Sequence, residues 1–170
     1  MTQELLDLRL SILEGRYEDA LDLVDELEEM SKQAILRNIE SFLMRLMVHL
    51  IKNQIEQRLT NSWTASISDS ILRIQKLNLK ANKTSYYVNI DEWFPWLEEA
   101  VEAAIAPASV EVFGGRLNAI QLSQQVERKS VITATQSLLE LTYHYSGKEL
   151  PAIIIARLVE LPGGQEWHRD

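Results

Sequence analysis

The feature that most constrains this chain is the run over residues 31–59, which contains neither Gly nor Pro. As one helix the run would be roughly 40 Å long at about 1.5 Å per residue. Its centre, residues 42–51, is apolar on almost every side, so other elements must pack around it. The run therefore predicts a long central helix within an all-α bundle.

Four more helices are predicted in the same bundle. Residues 4–14 carry leucines at helical spacing and stop at Gly15, a residue suited to a helix C-cap. A second helix starts at Tyr17 and has acidic residues opposite its apolar face. After the central helix, residues 61–80 form one more amphipathic helix, and residues 95–106 form another that a proline opens. The result is a bundle of about five helices.

A boundary is predicted where Pro107 is followed by the pair Gly114 and Gly115. The composition then shifts to Gln, Ser and Thr with balanced charge. We therefore expect a helical bundle domain over residues 1–106 and a C-terminal extension, helical in character, over residues 107–170.

Two stretches of this extension leave the choice between helix and strand open. Residues 117–145 fit one or two helices, but Val131, Ile132 and Thr133 are residues that strands favour. Residues 152–161 follow a proline that suits a helix N-terminus and contain three isoleucines that suit a strand. We favour the helix in the second case.

Composition narrows the class of protein. Of 170 residues, 46% are hydrophobic and none is Cys, which excludes disulfide scaffolds, thiol nucleophiles and cysteine zinc sites. The N-terminal residues mix acids into their apolar run, unlike a signal peptide. The apolar runs are shorter than a membrane span of roughly 20 residues. We expect a cytoplasmic protein that makes no contact with membranes.

Charge is strongly segregated along the chain, whose net value is −8. Residues 1–30 hold ten acids and two bases, residues 31–90 hold nine bases and three acids, and residues 91–111 hold six acids and no base. We interpret this pattern as acidic helices packed beside basic ones. An exposed basic stripe for nucleic acid is the alternative, which the acidic chain as a whole disfavours.

A polar stripe follows the central helix, with members spaced three or four residues apart along one face. Its members are Arg37, Ser41, Arg45, His49, Lys52 and Glu56. Within it, Arg45 and His49 are one turn apart. An arginine that holds phosphate and a histidine that moves protons would suit RNA cleavage. The structural alternative pairs Arg45 with acids of the second helix and leaves His49 packed and hydrogen-bonded.

The order of these segments resembles a known bacterial family, domain-of-unknown-function family 29, which is common in cyanobacteria. The resemblance rests on LVDELEE at residues 23–29, LMVHLIK at residues 46–52, the Asn61-Ser62-Trp63 step and WFPWLEEAVEAA after it. It covers about residues 5–106. It implies an all-helical bundle and no established activity.

No other motif points to chemistry. The three histidines do not converge with carboxylates at metal-ligand spacing, so no metal site is predicted. Phosphate-binding glycine loops and the serine-nucleophile elbow are missing from the sequence, so no cofactor is predicted either.

The cluster of Trp93, Phe94 and Trp96 is a candidate partner-binding patch, because aromatic residues are frequent in interface hot spots. We therefore predict a noncatalytic protein-interaction module with a protein partner or a second copy of itself. The alternative is an RNA-acting enzyme or a toxin–antitoxin component that uses Arg45 and His49.

Overall fold

The computed structural model describes residues 2–169, and within them the chain is all-helical, as predicted. These residues form eight α-helices and one 3-10 turn rather than about five helices, and no β-strand. The helices are α1 (Gln3–Leu13), α2 (Tyr17–Glu56), α3 (Asn61–Asn78), α4 (Trp93–Glu111), α5 (Ala119–Gln125), α6 (Arg128–His144), α7 (Leu150–Leu158) and α8 (Gly164–Arg169), with the 3-10 turn η1 (Val112–Gly115) after α4.

The chain divides into two compact units, residues 1–38 and residues 39–170. In the first unit, α1 turns at Gly15 into the first part of α2. Gly15 has a φ of 74°, a left-handed conformation that glycine adopts without steric cost. This unit is a helical hairpin.

The prediction of separate helices before and after residue 31 is wrong, because α2 runs unbroken from Tyr17 to Glu56. The sequence between these residues contains no Gly or Pro, and Ser31 is tolerated inside a helix. The helix ends at Glu56 because Gln57 turns to a φ of 55°.

The core of the second unit is built on the apolar centre of α2, as predicted. Leu43, Leu46, Met47 and Ile51 have at most 1% of their surface exposed. The apolar face of α3 is buried as well, from Trp63 through Ile67, Ile71 and Ile74. Among the other helices, α4 packs against α5 and α6, and α7 packs against α3 and α6.

The prediction that the helix after Pro95 stops at Ala106 is wrong, because α4 begins at Trp93 and continues through Pro107 to Glu111. A proline inside a helix leaves the carbonyl four residues earlier without its hydrogen bond. That residue is Ala103, which is exposed, so water can bond to its carbonyl. The division into domains at residues 106 and 107 stays a prediction.

The C-terminal stretches left open between helix and strand are helical. Residues 117–145 contain α5 and α6, and the stretch after Glu149 forms α7 with Pro151 in its first turn. Val131, Leu138 and Leu139 lie on one buried face of α6. Burial of that face at helical spacing outweighs the strand preference of its β-branched residues.

A close backbone approach joins the α2–α3 turn to the α7–α8 turn. The buried Asn53 side chain donates to the carbonyls of Arg58 and Pro162, at 3.1 and 2.7 Å. A Cβ on Gly163, which has a φ of 74°, would lie 2.5 Å from Arg58 Cα. Only glycine fits at this position.

Gly163→Ala tests this contact, with Gly15→Ala as a matched control. Both glycines have a φ of 74°, but a Cβ on Gly15 would meet no atom within 4 Å. We expect Gly15→Ala to cost about 1 kcal/mol of unfolding free energy and Gly163→Ala about 3 kcal/mol, because the second change adds a clash with backbone. Urea unfolding measures both values. Equal losses would mean that the turn can move away without cost.

Candidate functional site

Arg45 lies on α2 and pairs with α3 rather than with acids of residues 17–30. Its Nε donates to Ser66 Oγ at 2.7 Å, and its Nη1 lies 2.9 Å from Asp69 Oδ2. Asp69 also accepts from Arg73, four residues along α3. The predicted partner of Arg45 was therefore wrong, since an acid 24 residues further along neutralises the guanidinium.

His49, one turn along α2, is half-buried and has a buried Nδ1 without a hydrogen-bond partner in residues 2–169. Burial lowers the pKa of the imidazole from 6.5 to about 4. Burial is the largest cause of this lowering, the charges of Lys52 and Arg45 contribute to it, and Glu111 opposes it. His49 is thus neutral at physiological pH, packed as predicted but without the expected hydrogen bond at Nδ1.

Lys52 is the most buried cation of the polar stripe, with 5% of its side chain exposed. Its Nζ lies 3.2 Å from Glu111 Oε1 at the end of α4, and 4.6 Å from the ring centre of Trp63. The guanidinium of Arg58 lies equally close to the same ring. The indole and the carboxylate together compensate the loss of water around the ammonium.

Glu56 completes the stripe at the end of α2. Its carboxylate is 8% exposed, lies 3.0 Å from Arg58 Nε and accepts the backbone N–H of Phe113 at 3.2 Å. Phe113 has a φ of 50°, a conformation that bulky residues rarely adopt. The carboxylate therefore helps to hold η1 in its unusual conformation.

A polar seam joins α2 to α3 and to the end of α4. Its four members are Arg45, His49, Lys52 and Glu56. Three of its four members, all except His49, form ion pairs with other residues of the chain. An arginine that holds a phosphate must have its charge available, whereas Arg45 already pairs with Asp69. Catalysis by Arg45 and His49 stays an untested prediction.

Trp93, from the predicted aromatic patch, lies in the core with 0% of its surface exposed. Its Nε1 donates to the hydroxyl of Tyr143 at 2.7 Å, and that hydroxyl donates to the carbonyl of Val88 at 2.6 Å. Asn78 exchanges two more hydrogen bonds with Val88. This network fixes the loop before α4, and burial raises the pKa of Tyr143 to about 12. Trp93 is therefore removed from the candidates for partner contact.

Phe94 and Trp96 remain at the surface. Phe94 is 51% exposed, and Trp96 is half-buried with its ring centre 6.0 Å from that of Trp93. Trp96 borders a groove of about 250 Å³ between α2 and α4. The groove is lined by apolar side chains with two carboxylates among them: Glu40, Leu43, Met44, Pro95, Trp96, Glu99, Ala100 and Ala103. We call this feature the Trp96 groove.

Sequence reasoning missed both the α2 side of this groove and the burial of Lys52. Leu43 and Met44 belong to the apolar run of α2. The spacing of that run does not distinguish residues that line the groove from residues of the core. Lys52 was placed in the polar stripe, but its partner Glu111 lies 59 residues away. Contacts at that separation depend on how the helices pack.

No group of three or more His, Asp or Glu residues within residues 2–169 is placed to hold a metal ion. None of the helices described here is both long enough and apolar enough to cross a membrane.

The residues that the structure describes define an all-helical protein with a polar seam along α2. Residues 12–113 match the family described as Domain of unknown function DUF29, which is more than half of the chain. The chain therefore belongs to this family, and the resemblance drawn from its motifs is confirmed. No curated protein and no solved structure is significantly similar to it.

The burial of His49 predicts a loss of stability in acid. Its pKa is about 4 in the folded chain and near 6.5 when unfolded, so the unfolded state binds more protons between these values. Stability should be unaffected by His49 above pH 6.5 and fall as the pH drops toward 4. We expect a loss of about 1–2 kcal/mol, less than full burial would give.

Urea unfolding between pH 4 and pH 7 measures this effect, with His49→Leu as the test and His144→Leu as the control at an exposed site. The His49 variant should show a flatter profile than the wild type, whereas the control should follow the wild type. Equal slopes in all three proteins would contradict a neutral, buried His49.

Proposed function

We propose that this protein is a noncatalytic interaction module whose Trp96 groove holds an anchor side chain of a protein partner. The observation that carries the proposal is a groove with a mostly apolar lining beside a half-buried aromatic ring. The groove is bordered by Trp96, and Phe94 is exposed two residues earlier on the same helix. Aromatic residues beside an apolar pocket are typical of protein-interaction hot spots.

The size of the groove favours a side chain over a small-molecule ligand. Pockets for drug-sized molecules enclose roughly 300–1,000 Å³, whereas the Trp96 groove encloses about 250 Å³. A leucine or methionine side chain needs much less room than such a ligand, so the volume suits a single anchor residue.

Charge adds a preference for the sequence around the anchor. Glu40 and Glu99 line the groove and form none of the ion pairs found within residues 2–169. A lysine or arginine next to the anchor would pair with these carboxylates and could lie over the ring of Trp96. The partner segment is therefore an apolar residue flanked by cations.

The polar seam also favours the interaction module over the RNA-acting enzyme. Arg45 pairs with Asp69, and His49 has its Nδ1 buried, so both residues are accounted for by packing. The RNA-acting alternative lacks a comparable supporting observation. A cytoplasmic location, a bacterial origin and the lack of nucleic-acid binding remain predictions from the sequence.

Ala103→Trp tests the proposal by filling the groove from an exposed helical position, which should leave the fold intact. Ala106→Trp is the matched control, since Ala106 is exposed on the same helix but does not line the groove. The probe is a short peptide with one leucine flanked by lysines, and calorimetry measures its binding. We expect Ala103→Trp to weaken binding at least tenfold.

The control variant should bind as the wild type does. A peptide with glutamates in place of the lysines should bind more weakly, because it would face Glu40 and Glu99. If the lysine peptide does not bind the wild type, or binds both variants equally, the groove is not the contact surface.

A further inference from the structure

The helical hairpin of residues 1–38 exposes an unusual number of large apolar side chains. In residues 2–169, nine of the fourteen exposed large apolar side chains lie before Ser31. The residues that the hairpin buries are small, Ser11 at 1% and Ala20 at 6% exposed. A hairpin that buries its small residues and exposes its leucines presents an apolar surface of the kind that binds a partner.

These apolar side chains form regular stripes. On α1, Leu6, Leu10 and Leu13 are spaced by four and three residues, and all three are exposed. On α2, Tyr17, Leu21 and Val24 repeat the same spacing, also exposed. The two stripes end on either side of the turn, where Leu13 is 72% and Tyr17 66% exposed. This spacing is the one by which helices recognise other helices.

Acidic residues lie beside the α1 stripe. A cleft of about 320 Å³ opens between α1 and α2, lined by Leu10 and Leu23 and by the carboxylates of Asp7, Asp19 and Asp22. Arg16 is the one cation in its lining, and it is paired with Glu14 and Asp19. The cleft thus offers apolar contact together with unneutralised negative charge.

We propose that the hairpin is a docking surface for a basic amphipathic helix of a partner protein. The apolar face of that helix packs on the α1 stripe of Leu6, Leu10 and Leu13, and its lysines or arginines reach the carboxylates of the cleft that Leu10 also lines. Charge complementarity selects this occupant. A second hairpin of the same chain would bring ten further acids to the surface, and like charges facing each other oppose association.

The experiment uses the full chain and a labelled amphipathic helical peptide with leucines at the same spacing and lysines between them. Fluorescence anisotropy at low and high salt measures binding, with a glutamate version of the peptide as the charge control. We expect the lysine peptide to bind at least tenfold more tightly than the glutamate peptide, and less tightly as salt rises.

Two sets of variants locate the binding surface. Leu6→Gln with Leu10→Gln removes exposed apolar contacts and should weaken binding at least tenfold, whereas Ile120→Gln, at a position 72% exposed on α5, should not. Asp7→Asn with Asp22→Asn should weaken binding and reduce its salt dependence. Circular dichroism establishes that each variant stays helical.

Other outcomes overturn the proposal. Binding that Ala103→Trp abolishes and the leucine variants retain would place the peptide in the Trp96 groove instead. A wild-type dimer that the leucine variants convert to a monomer, seen by light scattering, would identify a second copy as the occupant. Binding of the hairpin to neutral phosphatidylcholine vesicles, lost in the leucine variants, would identify a membrane surface.

Discussion

Burial of the apolar centre of α2 is the interaction on which the second unit depends. Leu43, Leu46, Met47 and Ile51 are nearly or completely removed from water, and each such side chain stabilises the fold by roughly 1.5–3 kcal/mol. A helix that is apolar all round is stable only when other helices enclose it. The apolar faces of α3, α4, α6 and α7 supply the rest of this core.

Polar residues on α2 also join it to its neighbours. Arg45 meets Asp69 on α3, Lys52 meets Glu111 at the end of α4, and Glu56 holds η1 through the backbone of Phe113. Buried charges are costly unless they are paired, and the two buried charges of the seam, Lys52 and Glu56, each have a partner. The seam therefore favours one arrangement of the helices over others, whereas apolar burial alone would accept several.

The two surfaces proposed for partners share one chemistry but differ in geometry. The Trp96 groove is small and admits a single anchor, whereas the α1 stripe of the hairpin suits a helix. Both expose apolar groups beside carboxylates, which fits the acidic composition of residues 1–30 and 91–111. Acids at both surfaces disfavour phosphate-rich partners and favour basic proteins.

The sequence by itself determined the all-helical fold, the family and the buried centre of α2, because helical periodicity and glycine or proline breaks are local signals. It did not determine that residues 17–56 form one helix, because Ser31 could either cap the start of a new helix or lie inside a continuous one. It placed Trp93 with Phe94 and Trp96 in one patch, although only Trp93 reaches Tyr143 and the core. Tertiary structure decided these points, and also the partners of Arg45 and Lys52, because contacts between residues 24 to 59 positions apart depend on how helices pack and leave no periodic trace in the chain.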